Sequence, residues 1–280
     1  MVAKNRTFQI NGELEVKRLG FGAMRLCGDG VWHWPNDPVG AHAVLRRALE
    51  LGIQLIDTSD AYGPEINEYQ IAKALTPYPD DLLIATKGGL TRGGPRDWQA
   101  DGRPEHLKRA LKNSLRRLEV ERIDLYQLHT IDQNVPLEES LGALKELQQE
   151  GLIRFIGVSN FRVPQLERAR KVVDVVTVQN RYNLGDREHE EVLNYCQEHQ
   201  IGFLPWYPLA VGEVAENKAL QEIAVEKDAT VYQIALSWLL HKSEVMLPIP
   251  GTSSVQHLEE NWAAREIDLT AAEMTRLESS

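Results

Sequence analysis

The sequence predicts an α/β protein, a (β/α)8 TIM barrel with an N-terminal β-hairpin, in which residues 1–280 form a single domain. Two observations predict this fold. Short apolar runs alternate with amphipathic helical stretches, which indicates parallel strands that are buried on both faces. Eight such units also fit the length of the chain, because a closed barrel needs about 250 residues. No linker or low-complexity tract interrupts the pattern.

The hairpin is expected at the start of the chain, where Asn11-Gly12 separates the alternating segments TFQI and ELEV. This dipeptide suits a tight two-residue turn. The eight barrel strands are predicted at 18–22, 53–57, 82–86, 123–129, 153–159, 175–179, 201–206 and 245–249. Helices are predicted in alternation with them, near 39–51, 67–75, 104–118, 137–150, 163–171, 186–199, 217–227 and 230–241, and a further helix begins near Val255.

Proline and glycine mark several of these helix boundaries. Proline is favoured in the first helical turn, where three predicted helices carry one: Pro38, Pro104 and Pro136. Glycine is favoured where a helix ends in a left-handed residue, and three glycines fit such ends: Gly52, Gly151 and Gly202.

An open dinucleotide-binding sheet is the structural alternative. It requires the pattern G-x-G-x-x-G between an early strand and its helix. Gly20-Phe21-Gly22 begins the pattern, but Arg25 occupies the position of the third glycine. The alternative therefore lacks its phosphate loop.

Composition excludes several functional classes. The net charge is −10, which disfavours nucleic-acid binding. No apolar stretch reaches the ~18 residues of a membrane helix, and the first residues lack the apolar core of a secretory signal. Cys27 and Cys196 have no metal-ligand spacing, so no metal is expected. We predict a cytoplasmic protein without membrane or nucleic-acid partners.

Four polar residues follow successive predicted strands. Asp57, Lys87 and His129 end strands two, three and four, and Tyr62 follows Asp57 in the loop SDAYG. In barrels of this type, catalytic groups gather at the carboxyl ends of the strands. Taken singly, each residue also has an ordinary structural explanation as a cap, a satisfied core polar group or a surface charge.

The combination points to proton transfer. Lys87 ends an apolar run and needs a counter-charge, which Asp57 can provide. Tyrosine ionises near pH ~10, and a neighbouring lysine cation would lower its pKa. His129 can orient a substrate oxygen. Together, these groups would protonate a carbonyl oxygen while a hydride reaches its carbon.

Six segments then identify a family by resemblance: IDTSDAYG, IATKGG, DLYQLH, IGVSNF, VQNRYNL and IPGTSSVQHLEEN. From about Arg18 to Ala264, they resemble the aldo-keto reductase superfamily in content and order. The GTSSVQHL run and the WYPLA turn are most similar to a bacterial subgroup that includes pyridoxal reductases. The resemblance implies NADPH-dependent reduction of an aldehyde or ketone, NADH being possible. Its catalytic set is Asp57, Tyr62, Lys87 and His129, with Tyr62 as the proton donor.

The resemblance also implies a set of cofactor contacts. A Ser-Asn pair and a glutamine would hold the nicotinamide carboxamide, and an aromatic ring would stack on the nicotinamide. The segment IPGTSSVQHLEEN at 249–261, called the late segment below, would bind the adenosine phosphate. The set comprises Gly22, Met24, Asp57, Ser159, Asn160, Gln179, Trp206, Tyr207, Pro208, Leu209, Ile249, Gly251, Thr252, Ser253, His257, Glu260 and Asn261. Many members carry Lys or Arg near Gly251 or His257 for the 2′-phosphate of NADPH. This chain carries neither, so its preference over NADH is expected to be relaxed.

The substrate is expected at the same mouth. Trp32, Tyr62 and His129 are predicted to contact it, and pyridoxal or another small aromatic aldehyde is the favoured candidate. The glycine-rich loop 88–103, with Trp98, either closes over the site or is mobile. The protein is expected to be a monomer or weak oligomer. The alternative function is a non-catalytic nicotinamide-nucleotide-binding redox sensor or subunit, which the intact catalytic set disfavours. A metal-dependent barrel enzyme is remote, because the strand ends lack a ligand cluster.

Overall fold

A computed structural model describes residues 6–210 and 214–279. The chain begins with the expected antiparallel hairpin of β1 (Thr7–Ile10) and β2 (Leu14–Lys17). Ile10 pairs with Leu14, so the loop contains three residues, and the predicted two-residue turn is wrong. Asn11 and Gly12 both have positive φ, as expected, but the Glu13 amide donates to the Ile10 carbonyl at 3.0 Å before the ladder begins.

Seven parallel strands form the barrel wall. They are β3 (Phe21–Gly22), β4 (Leu55–Asp57), β5 (Leu83–Gly88), β8 (Ile123–Leu128), β9 (Ile153–Ser159), β10 (Val175–Arg181) and β11 (Gly202–Trp206). Their order in the sheet follows their order in the chain, from β3 to β11. The intervening β6 (Leu90–Gly94) and β7 (Asp97–Ala100) form a separate antiparallel hairpin.

Residues 245–250 close the barrel at the predicted position of the eighth strand. On one side, the Phe203 amide donates to the Val245 carbonyl and the Leu247 amide to the Phe203 carbonyl, both at 2.8 Å. On the other side, the Gly20 amide donates to the Pro248 carbonyl at 2.9 Å. The ladder is sparse because proline has no N–H to donate. These bonds join β11 to β3, and the predicted (β/α)8 fold is confirmed.

The helices lie close to their predicted ranges. They are α1 (Pro38–Glu50), α2 (Ile66–Leu75), α3 (Pro104–Leu118), α4 (Leu137–Gln149), α5 (Val163–Ala169), α6 (Glu190–Glu198), α7 (Lys218–Glu226), α8 (Val231–Lys242), α9 (Val255–Ala263) and α10 (Ala271–Glu278). Both α7 and α8 lie between β11 and the closing segment, so alternation is not strict there. Helix α10 has no counterpart among the predicted helices. No helix in the described ranges is long and apolar enough to cross a membrane.

The predicted boundary residues were mostly right. Pro38 and Pro104 begin their helices, whereas Pro136 directly precedes α4, and Gly52 and Gly151 both have φ of +80°. Gly202 does not end a helix, because Gln200 takes the left-handed conformation instead. A Cβ on Gly202 would lie 3.0 Å from Leu247 Cδ1 and 3.2 Å from Phe8 Cε1, so this glycine serves close packing.

The N-terminal hairpin covers the amino end of the barrel. Phe8 packs at Gly202, the first residue of β11, and the Arg18 guanidinium donates to the Leu240 carbonyl at 2.7 Å before the closing segment. The opposite mouth, formed by the carboxyl ends of the strands, carries the loops and the β6–β7 hairpin. We therefore expect the active site at that mouth, as the sequence predicts.

Candidate active site

Four buried side chains meet at the carboxyl ends of β4, β5 and β8. Asp57 ends β4, Lys87 lies next to the end of β5, and His129 directly follows β8. The Lys87 ammonium donates to Asp57 Oδ2 at 2.7 Å and to the Thr58 carbonyl at 2.8 Å. It also donates to the Tyr62 hydroxyl at 3.3 Å. None of the four predicted catalytic side chains is more than 7% exposed.

Asp57 is held by two amides as well as by the ammonium. Gln127 Nε2 donates to Asp57 Oδ1 at 3.1 Å, and Gln179 Nε2 donates to the same oxygen at 2.8 Å. Gln179 is predicted at the cofactor, whereas Gln127 is not among the predicted site residues. Gln127 lies two residues before His129, so its side chain points to the same side as that of His129. A buried polar residue at that spacing was a usable signal.

Burial dominates the electrostatics of Tyr62. Burial raises the pKa of its phenol, and the Lys87 ammonium lowers it by less. The predicted direction of the lysine effect is right, but the expected net lowering of the pKa is wrong for this site. The phenol therefore keeps its proton at neutral pH, as a proton donor must.

Lys87 and His129 respond to burial in opposite ways. Burial lowers the pKa of Lys87, but the attraction of Asp57 and Tyr62 outweighs it, and the pKa is raised. Burial, and then the Lys87 charge, hold the pKa of His129 well below its usual value. The site thus contains a charged lysine and a neutral imidazole, whose Nδ1 lies 3.1 Å from Ser59 Oγ.

A cavity of about 680 Å³ opens above these groups. Twelve of the predicted cofactor residues line it: Gly22, Met24, Asp57, Ser159, Asn160, Gln179, Trp206, Tyr207, Pro208, Leu209, Ile249 and Gly251. Five others lie further along the late segment and do not line it: Thr252, Ser253, His257, Glu260 and Asn261. Trp32 does not line the cavity either. Its ring packs beside Arg92, whose guanidinium carbon lies 5.5 Å from the Trp32 ring centroid.

Comparison with known proteins identifies the family. Residues 18–280 match the model of the aldo/keto reductase family. The chain belongs to this family. It is 47% identical over 268 residues to an uncharacterized oxidoreductase of Schizosaccharomyces pombe, covering 95% of this chain and 87% of that protein. It is 40% identical over 280 residues to pyridoxine 4-dehydrogenase of Escherichia coli, covering 98% of both chains.

Solved structures agree with the sequence comparison. An aldo-keto reductase from Klebsiella pneumoniae in complex with NADPH has a TM-score of 0.85 and 26% identity, covering all of this chain and 95% of that chain. The predicted family is confirmed, and the protein is an NAD(P)H-dependent oxidoreductase. Among residues 6–210 and 214–279, no group of His, Cys, Asp or Glu could hold a metal ion.

Two glycines of this aldo/keto reductase form the floor of the cavity where strand β3 meets the late segment. A Cβ on Gly22 would lie 2.6 Å from the Ile249 carbonyl oxygen. A Cβ on Gly251 would lie 2.6 Å from the Gly22 carbonyl oxygen. Larger residues would force β3 and the late segment apart, so glycine at both positions lets the two backbones approach closely at the floor of the cavity. Beyond it, the Ser254 side chain caps α9 by accepting from the His257 amide at 3.3 Å.

The polar groups on the far wall of the cavity bond to one another. Asn160 Nδ2 donates to the His129 carbonyl at 3.1 Å, and the Trp206 indole donates to Asn160 Oδ1 at 3.1 Å. Gln179 uses its amino group on Asp57, which leaves its carbonyl oxygen for a ligand. A carboxamide presents both donors and acceptors, so it fits this set of amides and the Ser159 hydroxyl.

The β6–β7 hairpin lies over Tyr62 and His129. The Trp98 ring meets Tyr62 and His129 edge to face, with centroids 6.2 and 6.4 Å apart. The Arg92 guanidinium lies 3.6 Å from the Trp98 ring centroid and donates to the Val31 and Ala61 carbonyls, both at 2.9 Å. The loop 88–103 is thus an ordered wall of the site in this structure. Its two strands are not among the predicted elements, and the sequence alone does not decide whether this loop closes over the site or is mobile.

Proposed function

We propose that this protein reduces an aldehyde or ketone to the alcohol with NADPH as the preferred cofactor, NADH being accepted. The observation that carries the proposal is the buried chain from Asp57 through Lys87 to the Tyr62 hydroxyl, beside a neutral His129 that lines the cavity. When bound, the nicotinamide supplies the hydride.

The side chains divide the proton chemistry between them. Tyr62 gives its proton to the carbonyl oxygen, and the Lys87 ammonium stabilises the phenolate that remains. Asp57 holds Lys87 charged and in place. His129 donates a hydrogen bond to the same carbonyl oxygen and fixes its direction. The neutral imidazole suits this role because it leaves the positive charge to Lys87.

The cofactor contacts proposed are those that the sequence predicts. Ser159, Asn160 and Gln179 hold the carboxamide, and Trp206 stacks on the nicotinamide ring. Gly22 and Gly251 let the nucleotide backbone approach, and the capped amino end of α9 faces its phosphates. The NADPH complex of the Klebsiella pneumoniae structure supports this assignment.

Pyridoxal or another small aromatic aldehyde is the proposed substrate class. The similarity to pyridoxine 4-dehydrogenase of Escherichia coli supports it. Trp98 supports it independently, because a flat indole beside Tyr62 and His129 offers a stacking wall to an aromatic ring. We also propose that the whole chain acts as one catalytic domain on this small molecule.

The test is to follow the absorbance of reduced nicotinamide with purified protein and a panel of aldehydes that includes pyridoxal. NADPH and NADH are compared in parallel, with Tyr62→Phe as the control. Aldehyde-dependent oxidation that Tyr62→Phe loses supports the proposal. If no aldehyde in the panel causes oxidation of the reduced nicotinamide while the protein still binds the nucleotide, the proposal is overturned in favour of a redox sensor or subunit.

A further inference from the structure

The Ser59 hydroxyl lies between two groups that compete for its proton. Its oxygen is 3.1 Å from His129 Nδ1 and 3.2 Å from Asp60 Oδ1, and it accepts from the Ala61 amide at 3.0 Å. All three side chains are buried. A hydroxyl donates one hydrogen bond and accepts two. Ser59 therefore donates either to His129 or to Asp60, never to both.

Two arrangements satisfy every partner of Ser59. In the first, a protonated Asp60 donates to Ser59, Ser59 donates to His129 Nδ1, and the single proton of the neutral imidazole sits on Nε2. In the second, an ionised Asp60 accepts from Ser59, and Ser59 accepts from Nδ1–H. The Nε2 atom then carries a lone pair. The hydrogen bond from the Ala61 N–H to Ser59 is kept in both arrangements, so the two differ only in the positions of the protons.

The two arrangements differ in what His129 offers to the cavity. Ser59 occupies Nδ1, so Nε2 is the ring nitrogen that remains for a ligand. Only the first arrangement presents an N–H to a carbonyl oxygen. We propose that Ser59 relays the protonation state of Asp60 to His129, so that His129 donates to the carbonyl oxygen only while Asp60 is protonated. Ser59 and Asp60 are thus positioning residues, and their effect on turnover rests on the proposed function.

The surroundings of Asp60 favour its protonated form. Burial and then the negative charge of Glu68 on α2 raise the pKa of Asp60 to about 8. Arg117 on α3, the Ser59 hydroxyl and the Ala61 amide lower it by less. The Tyr126 hydroxyl on β8 lies near Asp60 and Glu68 as a neutral group. Burial, and then the negative charges of these two carboxylates, raise its pKa. Asp60 is therefore protonated at neutral pH and ionises in mildly alkaline solution.

The pH dependence of kcat, at saturating aldehyde and NADPH, tests the relay. Wild-type kcat should fall as pH rises through about 8. Asp60→Asn cannot ionise and has an amide that can donate to Ser59, so it should keep its kcat to higher pH, until Tyr62 loses its proton. The same alkaline fall in wild type and Asp60→Asn would overturn the proposal.

Substitution of Ser59 supplies a matched pair. Ser59→Ala removes the donor to Nδ1 and should lower kcat roughly tenfold at neutral pH, the worth of one oriented hydrogen bond. The Kd for NADPH should not change. Ser59→Thr keeps the hydroxyl and should restore kcat. A Ser59→Ala variant with wild-type kcat would refute the relay.

A measurement without substrate separates this inference from the proposed function. The ¹⁵N shifts of the His129 ring, identified by their loss in His129→Gln, report which nitrogen carries the proton. In wild type the proton should be on Nε2 well below pH 8 and on Nδ1 well above it, and in Asp60→Asn on Nε2 throughout. One unchanged tautomer in wild type would overturn the relay. A tautomer change in a protein that reduces no aldehyde would instead overturn the proposed function.

Discussion

Replacement of Lys87 by methionine probes both the stability and the chemistry of the site. Lys87 Nζ lies 2.7 Å from Asp57 Oδ2 and 3.3 Å from the Tyr62 hydroxyl. Methionine fills a similar volume but leaves the Asp57 carboxylate buried with only its amide donors. Removing one partner of a buried ion pair costs about 3–5 kcal/mol, which urea unfolding should detect. Loss of a charge-assisted hydrogen bond to the phenolate, about 1.5–3 kcal/mol, should lower kcat/KM about 10- to 100-fold.

A double variant separates the two effects. Asp57→Asn combined with Lys87→Met removes the orphaned carboxylate, so most of the lost unfolding free energy should return. The kcat/KM should stay low, because the phenolate still lacks its cation. If the double variant recovers activity together with stability, the lysine acts only through the fold, and the electrostatic reasoning is refuted. A single variant with wild-type kcat/KM would refute it as well.

Three further predictions concern Trp98 in the cavity wall, the buried Asp60 and Gly251 at the floor of the cavity. Trp98→Ala should raise KM for aromatic aldehydes about tenfold and leave KM for small aliphatic aldehydes unchanged, as steady-state kinetics can show. The folded state holds the Asp60 proton up to pH about 8 instead of 3.8, so wild-type stability falls as pH rises through that window, by at most about 1.4 kcal/mol per pH unit. Urea titrations of Asp60→Asn should lack that fall. Gly251→Ala, whose Cβ would lie 2.6 Å from a backbone oxygen, should cost about 1–3 kcal/mol and weaken NADPH binding in a fluorescence titration.

Each of these three has an outcome that would contradict it. Equal KM increases for aromatic and aliphatic aldehydes would exclude Trp98 as a stacking wall. Parallel pH–stability curves for wild type and Asp60→Asn would mean that Asp60 is ionised at neutral pH. For Gly251, the matched control is Gly142→Ala in α4, where a Cβ meets nothing within 4 Å. Should both alanine variants bind NADPH alike, the glycine floor is not a nucleotide cradle.

Local patterns predicted the barrel because they are tied to its periodicity. Buried parallel strands are continuous apolar runs, and each helix shows its apolar spacing along the chain. The candidate catalytic residues could be located for the same reason. Once the strands are located, Asp57, Lys87 and His129 follow from their place at strand ends, and Tyr62 from its loop.

The residues that were missed depend on contacts between distant segments. The β6–β7 hairpin carries two glycines and no clear alternation, so nothing in the sequence shows that Arg92 joins it to the loops at Val31 and Ala61. Trp98 therefore replaces Trp32 as a wall of the cavity. The raised pKa of Tyr62 could not be predicted for the same reason, because the burial of its phenol depends on all the segments that form this mouth of the barrel.

The central claim is that the Tyr62 phenol supplies the proton for carbonyl reduction. The most direct measurement is a single-turnover experiment, in which wild type and Tyr62→Phe are loaded with NADPH and mixed rapidly with pyridoxal. We expect equal NADPH affinity in both proteins and a rate of NADPH oxidation at least about 100-fold lower in Tyr62→Phe, because a general acid typically contributes at least that factor. An unchanged oxidation rate in Tyr62→Phe would contradict it.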